Sequence, residues 1–259
     1  MRDQLAQLAR ADCAETLPRL GGMARPDGVV IVSERFWAFA AADGTVREGE
    51  MPRVPARLAR VPLLRGLARL WASLAPLFCG RGVARGRERL VLGVALVAPA
   101  GLVFAPQPYG LIGGLAVASA LATMIFRGRT LRLHGAEHRA IAAAEERRLE
   151  ATWLGDLRPS RFAARCGTNF AALSIPIAVL GERVWPVTAA FYTPVVVTVL
   201  ALALTMELWR VVQSARGWRR LFLLPGLALQ RLTTREPRLD ETRVALLAVN
   251  SVLRRELRI

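Results

Sequence analysis

Lysine is absent from the 259 residues, histidine occurs only twice, tyrosine twice and cysteine three times. All 36 basic residues are therefore arginine, set against 20 acidic ones, for a net charge of +16. We read the missing lysine as a trace of base composition in the coding DNA, not of chemistry. The cysteines, Cys13, Cys79 and Cys166, are odd in number and far apart. That argues against a disulfide framework. A phosphate loop, a GxGxxG fingerprint and a GxSxG elbow are all missing, which removes the nucleotide-binding and serine-hydrolase classes those motifs mark. Behind Met1-Arg-Asp-Gln4 no apolar run follows a basic region, so no cleaved signal peptide is expected.

Charge is also missing, from three long stretches: residues 90–126, 166–181 and 184–206. A bilayer span needs roughly 20 apolar residues. The first stretch is long enough for two spans and the third for one, while 166–181 is short by itself. With 53% apolar residues overall, an integral membrane protein is expected. Of the 36 arginines, 15 precede residue 90, 9 lie in 127–165 and 11 in 207–259. Four spans paired as two hairpins, with both termini cytoplasmic, put all three arginine-rich segments on one side and satisfy the positive-inside rule. The basic charge then points to anionic lipid headgroups as partners, not nucleic acid. Transport is disfavoured because the spans hold no buried charge. A protein partner or a homo-oligomer stays open.

The expected fold class is mainly α, a polytopic helical membrane protein with a small cytoplasmic antiparallel β element near the N-terminus. Residues 1–89 form the cytoplasmic N-terminal segment, 90–208 the membrane domain with a cytoplasmic loop at 127–165, and 209–259 the C-terminal amphipathic helices. Residues 1–20 suit a short amphipathic helix broken by Gly21-Gly22. A sheet is predicted around 28–48, with Asp27-Gly28 and Asp43-Gly44 as turns; its plainest role is a cap on the membrane domain. Leu63 to Phe78 reads as a helix, either interfacial, with Arg65 and Arg69 toward headgroups, or packed on the spans. The first hairpin is Leu90–Phe104 and Leu111–Phe126, and the last span runs from about Pro186 to Met206. Glu145-Glu-Arg-Arg148 continues the helix after the motif described next, and Gly155 and Pro159 end it. Trp218 to Leu229 is amphipathic, and a last helix covers about Asp240 to Leu257.

Both histidines fall in HGAEHR, residues 134–139. On a helix, His134 and His138 lie at i and i+4 on one face, with Glu137 beside them. HxxEH is the pattern of inverted zinc peptidases, in which the His pair holds zinc and the Glu activates water. A catalytic zinc takes three protein ligands and keeps one place open. Two candidates exist for the third: Glu207, at the end of the last span, and Cys166. The plain alternative is a polar network at a helix end, with Glu207 paired to an arginine and Cys166 a small buried hydrophobe.

Several short motifs in order resemble the YqhQ family of bacterial membrane proteins (domain of unknown function 1385). GGMARPDGVVI (21–31) resembles the family's GGQAVMEGVMM, and PLLRG (62–66) its PxLRG. HGAEHRAI (134–141) resembles HGAEHKTI, RCGTNF (165–170) resembles RCGTSF, TME (205–207) resembles SYE, and QRLTTREP (230–237) resembles LTTxEP. The resemblance covers roughly residues 20–250 and implies a metal-dependent enzyme of the inner membrane. Carried over by position, His134, Glu137, His138, Arg165, Cys166 and Glu207 match the family's polar positions. Asp27 stands where the family has Glu, Ala163 where it has a His, and Ala143-Ala144 where it has Cys-Tyr.

Two functions from different classes follow. One is a metal-dependent membrane hydrolase with Glu137 as general base and a zinc held by His134, His138 and either Glu207 or Cys166. The other is a non-enzymatic membrane assembly or scaffold protein whose HGAEH cluster is structural.

Overall fold

The computed structural model describes residues 2–80, 83–102, 105–106, 108–126, 128–185, 193–213 and 217–258. Four short strands follow one helix: α1 (Arg2–Asp12), β1 (Gly21–Arg25), β2 (Gly28–Val32), β3 (Phe36–Ala41) and β4 (Val46–Glu50). They form an antiparallel sheet in sequence order, with Met23 opposite Val30, Val30 opposite Phe39, and Phe39 opposite Arg47. The first hairpin closes through Pro26 and Asp27, since Arg25 pairs with Gly28. In the last connection Gly44 has φ +89°, a conformation open to glycine at little cost. The sheet begins earlier than its sequence suggests. Gly21 and Gly22 do not break α1, which already ends at Asp12; they open β1.

Period-2 alternation sorts the strand residues onto two faces. Val29, Ile31, Ala38 and Ala40 pack into one buried cluster, and Val30, Trp37 and Phe39 into another. The first cluster is closed by α6 (Gly128–Glu145) and α11 (Leu239–Leu257), through Leu133, Ala136, Ala140, Leu246, Val249 and Leu253. The second is closed by Leu74, Leu77 and Phe78 of α3 (Leu64–Cys79) and by Leu92 of α4 (Gly86–Leu102). The sheet is therefore a middle layer between helices. Helix α11 keeps its place through both ends. The Arg238 backbone N–H donates to Glu241 Oε2 at 2.9 Å, Asp240 and Glu241 lie in the first turn, and Arg254 and Arg255 in the last. Those signs complement the helix dipole.

The remaining helices are α2 (Ala56–Arg60), α5 (Tyr109–Ile125), α7 (Leu149–Leu154), α8 (Gly167–Arg183), α9 (Thr193–Val212) and α10 (Leu224–Thr233), with a 3-10 turn at Gly217–Leu223 before α10. Helices α4 and α5 pack on each other, α8 packs on α9 and α10, and α3 on α9. The contact with α9 means α3 is packed on an apolar helix while leaving Leu64 and Trp71 exposed. The protein is mainly helical with a small antiparallel sheet, as composition and pattern lead one to expect. Among the described residues one helix, α9, is long and apolar enough by itself to cross a bilayer, with mean hydropathy 2.0 over Val195–Val212.

Boundaries differ at informative places. The last apolar helix does not end at Glu207 but runs on to Val212, and 186–192 lie outside the described residues. Residues 103–104 of the first expected span lie outside them too. The motif helix stops at Glu145, and Arg147 has φ +58°. Glu146 to Arg148 thus break the helix that their charge spacing suggests, and α7 follows. Gly155, at φ +94°, then caps α7.

Leu246 is fully buried on α11 against the sheet. Leu246→Ala is expected to cost about 2–5 kcal/mol, read as a lowered Tm in detergent. Leu58→Ala, on the exposed helix α2, should stay within about 0.5 kcal/mol.

Candidate metal centre

Helix α6 carries the whole HGAEHR motif and buries most of it. Ala136 and Ala140 point into the core under the sheet. Gly135 faces the opposite way, toward the segment after α10. A Cβ at 135 would lie 2.2 Å from the Arg235 carbonyl oxygen, so only glycine admits that segment. There Arg235 N–H donates to the Leu131 carbonyl at 2.9 Å. Arg139 is buried and holds two further pieces, donating to the Pro159 carbonyl at 3.1 Å and to Glu236 Oε1 at 2.6 Å.

The two imidazoles meet edge to face, with ring centroids 4.5 Å apart. His134 Nδ1 is 2.8 Å from the Thr233 carbonyl, and His138 Nδ1 is 2.6 Å from the Arg161 carbonyl. A carbonyl only accepts, so in the neutral rings each Nδ1 carries the proton and each Nε2 keeps its lone pair. His134 Nε2 lies 3.3 Å from Cys166 Sγ. His138 is 1% exposed, and its Nε2 has no hydrogen-bond partner among the described residues. A buried lone pair left over in this way calls for an explanation, and a metal ion is one.

Cys166 is the N-cap of α8, 4% exposed. Its sulfur receives the Thr168 backbone N–H at 3.4 Å and lies 3.0 Å from the Thr168 hydroxyl. The ligand atoms of His134, His138 and Cys166 all lie within 4.8 Å of one another, and the group could hold a metal ion. Tetrahedral zinc, with Zn–N near 2.0 Å and Zn–S near 2.3 Å, needs ligand atoms roughly 3.3–3.7 Å apart. A modest closing of three side chains reaches that. The carbonyls behind both Nδ1 atoms are the kind of outer partner that fixes a metal-binding histidine.

Glu137 points to the strand side of α6. It accepts the backbone N–H of Ala24 on β1. Gly22 lies against it so closely that a Cβ there would be 2.7 Å from Glu137 Cγ. Burial raises the Glu137 carboxyl to about 7, although the charge of His134 and the Ala24 N–H pull it down. Glu137, His134 and Cys166 line one cavity of about 410 Å³, together with Gly22, Thr168 and Thr233.

Glu207, the other candidate ligand, is not part of the group. Its carboxylate takes the fork of Arg65, at 2.7 and 2.6 Å, and also meets Arg210 at 3.4 Å. The physical reason is helix packing: α9 lies against α3, where a Cβ at Gly66 would be 2.8 Å from Met206 Cβ. PLLRG and TME thus make a joint between two helices. Arg165 pairs with Glu145.

Two residues not singled out from sequence hold the loop that supplies the Arg161 carbonyl. Gln230 is fully buried; its Oε1 accepts the Ala163 N–H at 3.0 Å and its Nε2 donates to the Ala163 carbonyl at 2.8 Å. Asn169 donates to the carbonyls of Ala163 and Ala164 at 3.0 and 2.8 Å. Both lie inside quoted motifs, RCGTNF and QRLTTREP. Their signal was an amide in an otherwise apolar helix, which is a reason to ask what backbone it satisfies.

A mainly helical protein with a small sheet, holding a largely buried His–His–Cys group between the middle of α6 and the N-cap of α8, is the class that fold and site define. Residues 115–255, more than half the chain, match the family described as "Protein of unknown function (DUF1385)". The chain belongs to that family. It is 32% identical over 136 residues to the "Uncharacterized protein YqhQ" of Bacillus subtilis (strain 168). That alignment covers 49% of this chain and 42% of the relative, so the chain spans less than half the length of the curated relative it matches. No solved structure matches.

The raised carboxyl of Glu137 has a stability consequence. It holds its proton more tightly folded than unfolded, so between its ordinary value of 4.5 and about 7 stability falls as pH rises. The loss is on the order of 3 kcal/mol. Glu137→Gln is expected to flatten this slope in Tm measured from pH 5 to 7.5, and an unchanged slope would assign it elsewhere.

Proposed function

We propose that the protein is a metal-dependent membrane enzyme of the hydrolase class, with zinc held by His134, His138 and Cys166. The observation that carries this is the Nε2 of His138, buried without a partner among the described residues while its Nδ1 is tied to a backbone carbonyl. A zinc ion there supplies Lewis acidity and lowers the energy needed to deprotonate water. The chain does the rest. The carbonyls of Thr233 and Arg161 hold the two imidazoles in one tautomer and one orientation. Glu137, on the wall shared with His134 and Cys166, takes the proton from water at its carboxylate and returns it to the leaving group. Burial among Gly22, Ala24 and the strand β1 excludes bulk water from that carboxylate.

The membrane part of the reading is four spans in two hairpins, α4 with α5 and α8 with α9, and both termini in the cytoplasm of a bacterial cell. It is supported by the charge-free stretches, by the arginine asymmetry, and by exposed side chains on the α4–α5 hairpin. Leu90 and Val97 are each 67% exposed, and Leu111, Ile112 and Leu115 are exposed beside them. Apolar helices 17 residues long that turn such side chains outward suit a lipid environment. Anionic headgroups are the partners this arrangement implies.

Detergent-purified protein is expected to carry about one zinc per chain by plasma mass spectrometry. His134→Ala with His138→Ala should abolish it and Cys166→Ala should weaken it at least tenfold, whereas Glu207→Gln should keep it. Glu137→Gln should retain metal and lose turnover. Metal-free, well-folded wild type would instead favour a scaffold protein with HGAEH as a structural polar cluster. Topology is tested separately: reporter fusions at residue 259 and in the 105–110 connection should report opposite sides of the membrane.

A further inference from the structure

A second, larger cavity of about 620 Å³ opens on the other side of the group, with His138 in its wall. Its charged lining is Arg19, Arg147 and Arg165 against Glu145 and Glu146. These arginines are not equivalent. Arg147 is committed to the chain, donating to the carbonyls of Ala14 and Glu15 just beyond α1. That anchors the segment carrying Arg19, which is further fixed by Leu17 and Leu20 packed into the core. Arg19 itself is exposed, and among the described residues no acceptor meets it. Arg165 is partly buried and pairs with Glu145, which is half exposed at the rim. Glu146 faces Arg148 at 4.0 Å. Arg19 and Arg165 therefore share the wall of one cavity, Arg165 next to Cys166 in sequence and paired with Glu145, Arg19 open to solvent.

We propose that this cavity is an anion subsite in which Arg19 and Arg165 hold a phosphate group of the ligand while its neighbouring atoms lie at His138. Two guanidiniums match a doubly charged phosphate better than a single carboxylate, because each can offer a pair of parallel N–H donors. The arriving phosphate offsets the repulsion between Arg19 and Arg165 and shares Arg165 with Glu145. That the subsite serves a reaction rests on the metal-site reading above; capture of the phosphate does not.

The test titrates inorganic phosphate into full-length protein in neutral detergent by calorimetry, and in a second arm dihexanoyl phosphatidic acid below its micelle concentration. Arg19→Gln is the main variant because it sits on an exposed loop outside the metal group. Arg165→Gln is the second, and Arg2→Gln, far from the cavity in sequence, the control. Saturable phosphate binding, weakened at least tenfold by Arg19→Gln with zinc content and Tm unchanged, supports the subsite. Binding of phosphatidic acid alone, weakened equally by Arg19→Gln, supports it and assigns the phosphate to a lipid headgroup. Equal affinity in wild type and Arg19→Gln, or no binding in either arm, overturns it. Phosphate binding that depends on Arg19 in a protein without zinc would leave the subsite standing and sink the metal reading. Zinc without phosphate binding would do the reverse.

Discussion

Two backbone carbonyls decide what the rest of the site can be. Those of Thr233 and Arg161 each accept an imidazole proton, and so turn two lone pairs inward to a place where no donor among the described residues satisfies His138. Neither carbonyl is near the motif in sequence. One is set by α10 and the segment that follows it, the other by a loop pinned through Gln230 and Asn169. Much of the packing between α6, α10 and the 155–165 loop keeps those two oxygens in position. Side chains with no chemical role, such as Arg139 with its bonds to Pro159 and Glu236, belong to the same support.

The sheet contributes through β1, which lines the same cavity as His134 and Cys166. Gly22 and Ala24 of β1 press on Glu137, so the N-terminal strand takes part in setting the environment of a carboxyl more than a hundred residues away. The alternation along β2 and β3 serves two clusters at once, and this binds the site helix, through the sheet, to α3 and α4. A chain read as mostly apolar helices thus has a polar centre organised around a strand of glycine, methionine and alanine.

Much of this was legible from residue order. The helical placement of His134, Glu137 and His138 follows from their spacing, and Cys166 was a ligand candidate from its residue type and its position beside the apolar stretch. The sheet could be read from Val29–Val32 and Phe36–Phe39, but not β1, because two glycines signal a break unless a partner strand is known. Choosing between Cys166 and Glu207 was beyond the sequence for a physical reason. Both residue types can bind a metal, and which one lies beside the His pair depends on α9 lying against α3, where Arg65 claims the Glu207 carboxylate. The break at Glu146–Arg148 was hidden likewise, since the charge spacing there suits a continuing helix while Arg147 is drawn off to the end of α1.

The close approach at Gly135 alters how informative the motif is. HxxEH by itself is a five-letter pattern with three fixed letters, and it recurs by chance. Here its second letter is fixed too, because a methyl group at that position would occupy the space of the Arg235 carbonyl. A chain with HxxEH and any larger residue after the first histidine cannot bring in the segment that supplies the Thr233 oxygen. The glycine therefore separates sequences able to build this particular arrangement from those that share only its two histidines and glutamate.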